Sequence, residues 1–101
     1  MSEFGMVGSL TTAPENREKL VTILSTAAEL MQPLEGCHLY VVTRDADNDG
    51  KVWVMELWAS QEAHAESLTL PRVRELIAEA MPLLTSPPDG ARLIPVSGKG
   101  L

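Results

Sequence analysis

Two strand-like runs joined by one turn constrain this chain more than any other feature: CHLYVVTR (Cys37–Arg44), DADNDG, then KVWVMELW (Lys51–Trp58). Asn, Asp and Gly supply the backbone angles that a tight hairpin connection needs. Side chains alternate between the two faces of a strand. In the second run Val52, Val54, Glu56 and Trp58 therefore share one face, and Trp53, Met55 and Leu57 the other. In the first run Cys37, Leu39 and Val41 oppose His38, Tyr40 and Val42. Both faces of this hairpin are largely apolar, so a fold built on it has to cover both.

The flanks supply one cover. GMVGSLTT (Gly5–Thr12) predicts a first strand, with residues 1–4 as a loose N-terminal tail. Pro14 suits the first position of a helix, where its missing N–H costs nothing, with Thr12 or Ala13 as the cap. Leu20, Ile23, Leu24, Ala27 and Met31 then recur at helical spacing until Pro33 and Gly36 stop the run. After the hairpin, Ser60 is placed to cap a short helix reaching about Leu70. Pro71 forces a break or restart there, and Val73, Leu76, Ile77, Ala80, Met81 and Leu84 form a second apolar stripe. ARLIPVSGK predicts a last strand, with Pro95 marking an edge or a bulge.

The order is β-α-β-β-α-β. For 101 residues this predicts a single α+β domain spanning 1–101, with a four-stranded antiparallel sheet and two helical segments on one face, the ferredoxin-like arrangement. Helices on one face leave the other to water. An apolar sheet face of that size marks an interface, so the expectation is a homodimer with two sheets packed face to face, a dimeric α/β barrel-like assembly.

The turn and strand also spell a calcium loop, D-x-D-x-D-G with a Glu at the twelfth place, Asp45–Glu56. The geometry argues against calcium. Glu56 stands six residues beyond Gly50 in a strand, roughly 20 Å away at ~3.3 Å per residue. It does not share an ion with Asp45, Asp47 and Asp49, and the flanks are strands where an EF-hand has helices.

Composition narrows the remaining classes. The net charge is -6 and the eight Lys and Arg are scattered, which argues against nucleic acid as a partner. The one cysteine, Cys37, has no second thiol for a disulfide or metal pair and reads as a small buried side chain. No signal-like leader or run long enough to span a membrane is present, so the expectation is a cytoplasmic protein with no membrane contact. Glu56 is the exception on its face. A carboxylate in an apolar sheet is costly unless it is paired or beside a wet cavity, so it marks either a pocket or a sheet edge. Trp58 on that face reads as pocket wall or as core. His38 and Tyr40 line either a pocket or an interface, and Arg72 and Arg74 flank the apolar stripe as solvated residues.

The strings LEGCHLYVV and VMELWASQEAHAESLTLPRV carry a resemblance to the antibiotic biosynthesis monooxygenase family, in particular its small quinol-monooxygenase-like members. The resemblance covers the chain from about Val7 to Val96. It implies a ferredoxin-like dimer with a pocket between sheet and helices, and oxidation of a small phenolic, quinol or polyketide-like aromatic by molecular oxygen without metal or flavin. An electron-rich substrate anion passes electrons to oxygen itself, so such a protein has to desolvate, orient and deprotonate. Position by position, Trp58 matches the family's pocket tryptophan and His64 its helical His or aromatic, giving Trp58 and His64 as catalytic candidates. Glu56, Tyr40 and Ser67 are the substrate-binding candidates, with no metal site and no cofactor. Ser67 departs from the pattern, because many quinol-oxidising relatives carry a second His there. The heme-degrading branch has a tryptophan at that place and a histidine ligand further on, where this chain has Ile77; Ile77 offers iron no ligand atom. The rival reading is a non-catalytic dimeric binding domain of the same fold.

Overall fold

The computed structural model describes residues 3–101. Strand β1 is Phe4–Thr11, and a 3-10 turn at Pro14–Asn16 leads into helix α1, Arg17–Met31. The hairpin is β2, Cys37–Arg44, and β3, Lys51–Trp58. Helices α2, Gln61–Ser67, and α3, Pro71–Ala80, follow, then a 3-10 turn at Met81–Leu83 and strand β4, Asp89–Leu93. The sheet order is β2-β3-β1-β4 and every pairing is antiparallel. This is the ferredoxin-like α+β arrangement that the order of elements predicts.

Register explains how the sheet divides its labour. Tyr40, Glu56 and Met6 form one cross-strand row on the helix side, with Val42, Val54 and Gly8 in the next and Arg44, Val52 and Leu10 beyond. Leu20, Val52 and Trp58 are fully buried there, and each such side chain contributes about 1.5–3 kcal/mol by leaving water. The opposite face carries Val41, Met55, Val7 and Ala91 in one row across all four strands, and Leu39, Leu57, Gly5 and Leu93 in the next. Leu39, Met55 and Leu93 on that face remain at least 40% exposed.

The loop of the hairpin is held by its own first residue. Asp45 Oδ1 accepts from the backbone N–H groups of Asp47 and Asn48, and Oδ2 accepts from Trp53 Nε1 at 2.7 Å. These bonds, led by the indole, hold the carboxyl below the ordinary aspartate range. The side chain that begins the calcium pattern is thus occupied in closing the turn.

Three details differ from the expectations. Phe4 is a buried strand residue and Glu3 contacts His38, so the loose tail does not reach that far; residues 1 and 2 lie outside the described residues. The last strand sits earlier, at Asp89–Leu93, and Ile94 to Lys99 are outside it. It begins with residues that read as a turn because Gly90 passes close over β1: a Cβ there would lie 2.3 Å from the Val7 carbonyl oxygen. Finally, an irregularity between Cys37 and Leu39 breaks the alternation of β2. Cys37 thereby lies opposite Trp58 on the helix side, only half-buried against the core and not fully buried as expected, and His38 does not join Tyr40. His38 Nδ1 lies 3.1 Å from Glu3 Oε2.

Candidate active site

Helix α2 begins where Ser60 accepts the Ala63 backbone N–H on its side-chain oxygen at 3.1 Å. That cap fixes the helical phase. It turns His64 and, one turn later, Ser67 toward the sheet, while Glu62 and Glu66 face solvent. Pro71 then starts α3 at a new angle, so α2, α3 and α1 enclose space above the sheet instead of filling it.

The result is a cavity of about 220 Å³ between the helix side of the sheet and the three helices. Its lining is apolar except at Tyr40, Glu56, His64 and Ser67. No Lys or Arg lines it. Four of the five sequence-derived candidates thus converge on one space, though they come from β2, β3 and α2.

Glu56 is the hub. Its Oε1 accepts from Trp58 Nε1 at 3.0 Å and lies 3.8 Å from His64 Nε2. The second distance is too long for a direct hydrogen bond and suits an ion pair when the imidazole carries a proton. Both side chains are 15% exposed, so little water reaches either. Tyr40 stands directly across from Glu56 on the neighbouring strand. Burial, then the Glu56 charge, then Cys37 push its phenol well above the ordinary tyrosine value, so Tyr40 presents a neutral O–H donor. The Cys37 thiol is raised as well, first by burial and then by Glu56.

His64 is fixed by aromatic neighbours. Its ring meets Trp58 edge-on at 5.4 Å and Phe4 at 5.5 Å with a 40° tilt. Ser67 is buried, and its hydroxyl donates to the His64 carbonyl oxygen at 2.6 Å. It closes the end of α2 and offers lone pairs, not a base, to the cavity.

Trp58 takes a different place from the one the motif suggests. It is 1% exposed and does not line the cavity; it stands behind Glu56 and His64 and packs with Phe4, Met31 and Val73. It positions the carboxylate and the imidazole instead of forming the wall. Sequence reasoning missed Phe4 as the second aromatic support of His64, and placed Ile77 and Met81 in an apolar stripe without showing that they line the cavity. Arg72 faces Glu75 and Glu79 at 3.3 and 3.5 Å on the outer side of α3, as a solvated residue does. Among the described residues no group of three or more His, Cys, Asp or Glu is arranged to hold a metal ion, and no helix is long and apolar enough to cross a membrane.

Residues 4–79 match the sequence profile of the antibiotic biosynthesis monooxygenase family. The chain belongs to that family. A solved structure from Chloroflexus aurantiacus, named for the same family, is 34% identical over 96% of this chain and 96% of its own, with a TM-score of 0.85. One from Caulobacter crescentus, also named for it, is 25% identical over 95% of this chain and 92% of its own, with a TM-score of 0.86. A Mycobacterium tuberculosis protein shares the fold at 23% identity, covering 97% of this chain and 99% of its own with a TM-score of 0.87. No curated protein sequence matches the chain significantly.

Proposed function

We propose that this member of the antibiotic biosynthesis monooxygenase family oxidises a small phenolic, quinol or polyketide-like aromatic with molecular oxygen and no bound cofactor. One observation carries the reading: His64, Glu56 and Tyr40 line one largely apolar cavity. The His64–Glu56 pair takes the substrate's hydroxyl proton, and imidazole is suited to that transfer near neutral pH. Tyr40 donates to the oxygen of the resulting anion. Apolar walls raise the energy of the anion and its readiness to give electrons to oxygen. For a simple phenol the balance is one phenol plus one dioxygen to one quinone plus one water. The ring C–H opposite the hydroxyl becomes C=O, one oxygen atom enters the ring, and the other leaves as water with two hydrogens.

Ser67 supports the second reading, a non-catalytic binding domain. Its hydroxyl is committed to the His64 carbonyl, so the position at which many quinol-oxidising relatives carry a second His supplies no base here. Oxygen uptake with a panel of hydroquinones and anthrones, measured for the wild type and His64→Ala, separates the two. Uptake that the substitution reduces by at least tenfold supports the monooxygenase chemistry; binding without uptake by the wild type supports the binding domain. The same reading takes the functional unit to be a homodimer formed through the open sheet face.

A further inference from the structure

The cavity is polar at one end only. Tyr40, Glu56 and His64 cluster where β2, β3 and α2 meet. Leu10, Ile77, Met81 and Pro88 line the cavity as well, and Leu10 pairs with Val52, four residues from Glu56 along β3. At ~3.3 Å per residue the polar cluster and the Leu10 level stand roughly 13 Å apart. Met81 belongs to the same far end, since the 3-10 turn it starts leads to Leu84, which bridges Thr12 just past β1.

That far end is open and apolar. Ile77 is 44%, Met81 49% and Leu68 43% exposed although all three line the cavity, so they form its rim, with Leu68 at the end of α2 and the other two at the far end. Two large apolar side chains, one helical turn apart, stand half in water at the mouth of an internal space. A compact polar ring alone fills only the Glu56 end: a cavity of roughly 150 Å³ already accepts benzene, and this one is about 220 Å³ and elongated. With no Lys or Arg in the lining and a carboxylate at its polar end, the site also opposes an anionic head.

We infer that the ligand is an uncharged phenolic head carrying an alkyl or prenyl tail, with the hydroxyl at Glu56, His64 and Tyr40 and the tail running along Leu10 and Ile77 to emerge past Met81. The head group rests on the function proposed above; the tail rests on the shape and rim of the cavity. Ring and chain are recognised separately, and each therefore has its own test.

The experiment is calorimetric titration of the purified protein with meta-alkylphenols, which leave the ring C–H opposite the hydroxyl free, from methyl through heptyl, alongside a straight-chain fatty acid of heptylphenol's length. Each added methylene tightens binding about fourfold, from ~0.8 kcal/mol per buried CH₂, until the chain clears the rim. Ile77→Ser and Met81→Ser flatten that dependence. Glu56→Gln weakens every member by a common factor and keeps the slope. The fatty acid binds at least tenfold more weakly than heptylphenol. Affinity that is flat or falls with chain length overturns the inference, as does a fatty acid that binds equally well. The proposed chemistry fails independently: a chain-length slope with no oxygen uptake leaves the amphiphile site standing and removes the oxidation, and uptake from tail-less hydroquinone with a flat slope does the reverse.

Discussion

Trp58 Nε1 donates to Glu56 Oε1 at 3.0 Å, two residues away on the same face of β3. This bond ties the most buried aromatic of the core to the carboxylate at the head of the cavity. Trp58→Phe keeps an aromatic ring and removes the donor. The expected loss is about 2–4 kcal/mol of stability, part from the hydrogen bond to a charged group and part from the space left behind. Urea unfolding measures it. Turnover falls further than stability accounts for, because Glu56 is then free to leave His64. A variant as stable and as active as the wild type contradicts the positioning role.

Tyr40 is the single tyrosine of the chain, so its ionisation is readable by ultraviolet absorbance without interference from another phenol. Burial first and the Glu56 charge second raise its pKa above the ordinary 10.0. The contribution to stability is complete below the unfolded value of 10.0. As the pH rises past it, the unfolded chain loses the proton while the folded one keeps it, and stability falls. Folded protein therefore titrates later than urea-unfolded protein. Glu56→Gln moves the folded midpoint down yet leaves it above the unfolded one, since burial remains. Coincident folded and unfolded curves would show that Tyr40 is not enclosed beside Glu56.

Asp45 holds the hairpin loop through two backbone N–H groups and the Trp53 indole. Its carboxyl is depressed, so its contribution is present above the unfolded value and is lost as the pH falls through the lower folded one. Asp45→Ala lowers the thermal midpoint at neutral pH, and the gap between variant and wild type narrows in acid. Millimolar calcium leaves the midpoint of the wild type unchanged. A calcium-dependent rise in that midpoint contradicts the assignment of this loop to the hairpin alone.

Met55 sits at the centre of the open sheet face, in register with Val41 and Val7. Sedimentation of the wild type at micromolar concentration is expected to give a dimer, and Met55→Asp a monomer, because the substitution puts a charge into each half of a two-fold interface. A monomeric wild type removes the covering of this face by a second copy.

The fold was legible where periodicity and turn chemistry agree. The apolar stripes on α1 and α3 and the alternation in β3 each have one local cause, and each appears where that cause puts it. The Asn/Asp/Gly loop falls where its composition puts it but by another cause, since no residue in it takes a positive φ and the side chains of Asp45 and Asn48 close it on backbone N–H groups. The departures have non-local causes. Asp89 and Gly90 pair with Ser9 and Gly8 of β1, so close that a Cβ on Gly90 would lie 2.3 Å from the Val7 carbonyl oxygen, and no local pattern reveals that pairing. The irregularity after Cys37 moves a side chain from one face to the other by a break in pairing that alternation does not encode. At the site, Glu56 and Trp58 were recognisable as neighbours on one face. That Trp58 turns its N–H to the carboxylate and leaves the wall to α3 depends on how Phe4, Met31 and Val73 pack around the indole.

In the proposed reaction the His64–Glu56 cavity inserts one oxygen atom into an aromatic ring. The direct measurement is turnover of a phenolic substrate under isotopically labelled dioxygen, with mass analysis of the product. One labelled atom per product molecule is expected for the wild type, with at least a tenfold lower yield for both His64→Ala and Glu56→Gln. Product without label, or variants that match the wild type, would contradict it.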